Sequence, residues 1–106
     1  MLNERELRNI AKAAADKQLP RFSVSRIVAE PTLDSEGNDA LRIVFVLPSE
    51  AVDAITGEDA LKLLVDLHDV LIGKGDDRFP IIEYTTEADF DEADGEDDEA
   101  DDENEI

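Results

Sequence analysis

From Leu7 the apolar residues recur at Ile10, Ala11 and Ala14, the i, i+3, i+4, i+7 spacing of one helical face. Asn3 stands at the cap position and Glu6 follows three residues later, closing a capping box, so a helix is expected from there to about Gln18, ahead of Pro20. Two alanines among four stripe positions make a shallow face, suited to lie against a sheet and not at the centre of the core. Residues 22–30 then alternate as a strand. Phe22, Val24 and Val28 share one parity, Ile27 and Ala29 the other, and Pro31 is expected to end it. Residues 32–39, TLDSEGND, read as a turn cluster around Gly37 and Asn38, both tolerant of positive φ. Residues 40–47 form the strongest strand: Leu41, Ile43, Phe45 and Leu47 alternate with Arg42, Val44 and Val46. Its second half is apolar on both faces, which places it centrally in a sheet.

Pro48 stops that strand, and Ser49 is positioned to cap a short turn, SEAVDAI. Thr56, with Asp59 three residues on, caps a second and better helix over residues 57–74. Ala60, Leu63, Leu64, Leu67, Val70 and Leu71 mark its core face, and Gly73 and Gly75 suit its end. Residues 79–85, FPIIEYT, are a third strand, with Pro80 near its start arguing for an edge or an entry point. The order α-β-β-α-β makes the first two strands a hairpin and joins the second to the third by a helical crossover, hence in parallel. The expected fold is α+β: a two-layer sandwich of a three-stranded mixed sheet with two helices on one face. The open face would carry Arg26, Arg42 and Glu83 beside apolar residues, a common setting for a partner.

Charge divides the chain. Residues 1–86 hold sixteen Asp/Glu and ten Lys/Arg, a net −6, whereas residues 87–106 hold thirteen acids and no base, for −19 in all. The expected organisation is therefore a small domain over residues 1–86 and an acidic, disordered C-terminal tail over residues 87–106, since a block of like charge repels itself and has little to bury. Such a charge disfavours nucleic acid and anionic membranes as direct ligands and favours a basic protein: a toxin, a nuclease or another nucleic-acid-binding protein. No apolar run approaches 18 residues, and the charged N-terminus MLNERELRNI has no apolar h-region, so a cytoplasmic location is expected. The absence of cysteine excludes disulfides and thiol chemistry.

Candidate chemistry is sparse. His68, the only histidine, lies between Asp66 and Asp69 with no partner at helical spacing, and reads as a boundary residue of the second helix. An EF-hand register through Gly95 puts Phe90 at the first ligand position, which cannot coordinate calcium. The loop GKGDDRFP lacks the GxxxxGK[ST] pattern of a phosphate loop. No metal, cofactor or catalytic constellation is expected, and the chain reads as a non-enzyme. The candidate partner-binding residues are Arg78 and Phe79, an arginine–aromatic pair of the type enriched at hot spots, together with the acidic run Asp89, Asp91, Glu92, Asp94, Glu96, Asp97, Asp98 and Glu99. Arg5, Arg8, Lys12 and Lys17, joined by Arg21 and Arg26, make the N-terminal third basic. They form either a solvated helix face or a surface that the acidic tail folds back upon and screens.

The segments ALRIVFVLPS, ITGEDALKLLVDLHDVL and GDDRFPIIEYTTE resemble a group of small bacterial open reading frames associated with two-gene toxin–antitoxin-like modules. The resemblance covers about half of the chain and implies an antitoxin- or inhibitor-like protein-binding role, with no functional residues to carry over. The αββαβ order also resembles type II KH-like RNA-binding domains, but no GXXG loop is present and the net charge has the wrong sign. Two further readings stay open: a KH-like nucleic-acid-binding accessory domain screened by its tail, and a structural or adaptor subunit.

Overall fold

A computed structural model of the chain describes residues 2–90. It contains α1 (Glu4–Gln18), β1 (Arg26–Leu33), β2 (Asp39–Val46), α2 (Ser49–Ala54), α3 (Gly57–Gly73) and β3 (Phe79–Thr85). The strands form one sheet in the order β1-β2-β3, with β1 antiparallel and β3 parallel to β2. β2 is thus central, as the patterning requires, and β3 is an edge.

Both capping boxes form. The Asn3 side chain accepts from the Glu6 backbone N–H at 2.8 Å while the Asn3 N–H donates to the Glu6 carboxylate at 3.0 Å. At α3 the Thr56 hydroxyl accepts from the Asp59 N–H at 3.0 Å and the Thr56 N–H donates to Asp59 at 3.1 Å. α1 and α3 lie on one face of the sheet, and the core is a single cluster. Leu7, Ala11, Ala14, Ala15 and Leu19 meet Leu63, Leu67 and Leu71 above Ala29, Leu41, Ile43, Phe45 and Leu47. Leu7, Ala11 and Ala14 of this shallow stripe are buried nearly as fully as the leucines of α3, whereas Ile10 is partly buried.

Three local expectations are corrected. Pro31 does not end β1: it pairs with Leu41, and the strand runs from Arg26 to Leu33. β1 is an edge strand, where an N–H missing on the outward side breaks no ladder. Phe22 and Val24 precede the strand and pack against the core from a loop. The turn is accordingly shorter than residues 32–39. Asp34 closes it by accepting from the N–H groups of Glu36 and Asn38, both at 2.9 Å, with only Gly37 at positive φ (85°). The segment after Pro48 is a helix, α2, and Ser49 is its first residue and not its cap.

The sheet's other face is closed by charge. The register puts Arg26, Val28, Glu30, Arg42, Val44, Val46, Ile81 and Glu83 together on it. Arg42 reaches across all three strands, donating to Glu30 at 2.6 Å and through two nitrogens to Glu83 at 3.2 Å each. Val44 and Val46 are fully buried on this side. This face carries Arg26, Arg42 and Glu83 beside apolar residues, as the patterning implies, and Arg42 is paired with Glu30 and Glu83 across the strands.

Leu67 is fully buried, whereas Leu64, which the sequence places on the same stripe, is half-buried. Leu67→Ala is expected to cost about 2–5 kcal/mol and Leu64→Ala clearly less, a ranking that urea unfolding of the two variants will check. The Tyr84 hydroxyl is buried and, among the described residues, has no hydrogen-bond partner. Burial pushes its pKa up to about 12, with the Asp59 charge adding to the effect. Tyr84→Phe removes that unpaired group and is expected to leave stability unchanged or higher, by up to about 1–3 kcal/mol, in the same unfolding assay.

Candidate partner-binding surface

The Arg78–Phe79 pair is split by the fold. Arg78 is 8% exposed and Asp76 is fully buried. Arg78 donates to Asp76 from Nε at 2.9 Å and from Nη2 at 2.6 Å, and Nη2 also reaches the Leu2 carbonyl at 3.2 Å. Asp76 in turn accepts from the Leu2 N–H at 3.3 Å. This ion pair fastens the chain ahead of α1 to the loop between α3 and β3. The Arg78 hydrogen bonds hold the Asp76 carboxyl down at about 2, against the opposing cost of burial. Arg78 is consumed by this linkage and offers nothing to a partner, a correction to its expected role.

Phe79 faces outward, 49% exposed, with the His68 imidazole against it edge-on at 5.2 Å between ring centroids. It extends an apolar flank of α3. Leu61, Val65, His68 and Ile72 follow at spacings of four, three and four, which line up on one side of a helix. Leu61, Val65 and Ile72 are each 50–59% exposed, and Leu64 adds a half-buried neighbour. Glu58, Asp69 and Asp77 are exposed beside this flank. Of the five large hydrophobic residues most exposed in the described chain, four belong to it; Leu33, at the hairpin turn, is the exception. The periodicity of α3 carries this second seam beside the stronger core stripe of Leu63, Leu67 and Leu71. His68 borders the flank, and among the described residues no cluster of three or more His, Cys, Asp or Glu side chains is arranged to hold a metal ion.

The acidic residues divide at Phe90. The chain does not leave the domain at Thr86: residues 87–90 make a helical turn, capped by the Thr86 hydroxyl accepting from the Asp89 N–H at 3.1 Å. Glu87 accepts from the Ser25 hydroxyl at 2.9 Å and from Arg26 at 3.0 Å. These bonds, Ser25 first, hold its carboxyl below the usual range. The Arg26 guanidinium also lies 4.8 Å from the Phe90 ring centroid. Thr86-x-x-Asp89 before an aromatic residue is a capping pattern that marks this turn in the sequence. Asp89 is exposed on it, whereas Asp91, Glu92, Asp94, Glu96, Asp97, Asp98 and Glu99 lie outside the described residues, as does the expectation of disorder for residues 91–106.

No family model, curated protein or solved structure matches this chain. Among the described residues no helix is long and apolar enough to cross a membrane.

Asp76→Asn leaves Arg78 buried without its carboxylate and is expected to cost about 3–5 kcal/mol, read from urea unfolding near neutral pH. Because the folded pKa of Asp76 lies below its ordinary value of 3.8, its contribution is fully present above that value and is lost as pH falls through about 2. The parent should therefore lose stability over that interval, and the Asp76→Asn variant should lose less.

Proposed function

We propose that this chain is a non-enzymatic protein-binding protein of antitoxin or inhibitor type, acting in the cytoplasm on a basic protein partner. The observation that carries this reading is the exposed apolar flank formed by Leu61, Val65, Ile72 and Phe79 on a chain of net charge −19. Exposed apolar side chains gathered on one surface, with acids beside them, suit a partner that is apolar at the contact and basic around it. Phe79, partly supported by His68, is the aromatic anchor of that contact. The acidic residues from Glu87 onward add long-range attraction, which raises the encounter rate more than it slows departure. In a toxin or nuclease, the cationic surface meant for phosphates is the natural target of such a polyanion.

Capture from a lysate of the native host, with the full chain and a Val65→Glu variant as paired baits, tests the assignment. A basic protein should be retained by the parent and lost, by about tenfold or more in affinity, by the variant. Replacing Glu96, Asp97, Asp98 and Glu99 by their amides should slow association at low salt and leave dissociation nearly unchanged. RNA retained in place of protein, or equal retention by parent and variant, would overturn this reading.

A further inference from the structure

The acidic segment that follows Phe90 has a receptor within its own chain. A groove of about 370 Å³ runs between α1 and the start of β1, lined by Arg8, Asn9, Lys12, Val24, Ser25, Arg26 and Ile27. Three cations border it in a domain whose other bases are largely committed. Lys17 pairs with Asp66, Arg21 with Asp59, Arg42 with Glu30 and Glu83, Lys62 with Glu58, and Arg78 with Asp76. Among the described residues, Arg5 and Arg8 have no carboxylate within ion-pair distance, and Lys12 meets only its exposed helical neighbour Asp16 at 3.3 Å. Arg5, Arg8 and Lys12, at spacings of three and four, lie along one side of α1. Arg8 and Lys12 line the groove and Arg5 precedes them on the same side of α1; Lys62, paired only with its helical neighbour, and Lys74, without an ion pair among the described residues, do not line it.

The root of the acidic segment is fastened at its edge. Ser25 and Arg26, two of the lining residues, bind Glu87, and Arg26 also covers Phe90. Sixteen residues follow Phe90, eleven of them Asp or Glu and none basic. At up to about 3.3–3.6 Å per residue they reach far beyond the roughly 10 Å that separates Arg5 from Lys12 along α1. A tether this short holds the polyanion at an effective concentration on the order of millimolar, so weak charge pairing suffices for occupancy. We infer that residues 91–106 dock in cis along the Arg5–Arg8–Lys12 side of this groove, continuing the contact that Glu87 and Phe90 begin at Arg26. The contact masks the basic strip. The inference stands apart from the antitoxin reading, since it concerns the chain alone.

The absence of cysteine permits a direct test on the full chain. A nitroxide attached at Ala100→Cys should broaden the backbone amide signals of Arg5, Arg8, Asn9 and Lys12 and of Ser25 to Ile27 at low salt. Those signals should recover in roughly 0.5 M salt, where the screening length falls to about 4 Å. The double variant Arg8→Glu, Lys12→Glu, altered at exposed positions, should abolish most of the broadening while its other amide signals stay in place. Broadening of the α3 residues Leu61 to Ile72 equal to that of α1, no broadening of α1, or broadening that survives the charge reversal would each overturn the inference. None of these outcomes depends on a partner being found.

Discussion

Burial of β2 on both faces is the constraint from which the architecture follows. Of its eight residues only Asp39 and Arg42 escape full burial. A strand of that kind needs a neighbour at each edge and cover on each side. The hairpin through Gly37 supplies β1 locally, but the other neighbour has to return in parallel, and that requires a crossover long enough to hold α3. α3 brings Leu63, Leu67 and Leu71 over the face bearing Leu41, Ile43 and Phe45. On the opposite face Arg42 links Glu30 and Glu83 across the strands above a row of valines.

Charges in this domain are mostly spent on holding pieces together. The Asp76–Arg78 pair ties the start of α1 to the entry of β3, and Arg21 and Lys17 tie the end of α1 to α3. Such pairs are worth little where they are exposed, whereas removing one partner costs far more where the other is buried, as at Asp76 and Arg78. What remains unspent defines the molecule's outward chemistry: an apolar flank on α3, a cationic strip on α1 and a run of acids at the C-terminus. The last two carry opposite charge, and the turn at residues 87–90 brings Glu87 to Arg26 at the start of β1.

Periodicity, caps and turn residues act over a few positions, so the sequence alone determined the two long helices, the three strands and the order of these five, though not α2 or the limits of β1. It placed Asn3 and Thr56 at helix starts, β2 at the centre and residues 79–85 as a strand, because each depends on neighbours within one or two turns of chain. The long acidic run and its charge were equally plain. Tertiary structure decided the rest. Whether Pro31 breaks a strand depends on whether its missing N–H faces a neighbour or solvent, and only the sheet order settles that. Whether Arg78 serves as an anchor or a fastening depends on Leu2, 76 residues away. α3 carries two apolar seams, and only packing against α1 and the sheet selects Leu67 for the core and leaves Val65 outside. Glu87 meets Ser25 and Arg26 solely because parallel pairing of β3 with β2 ends the sheet beside the start of β1. These outcomes rest on contacts between distant segments, and burial and charge pairing of that kind have no local signature.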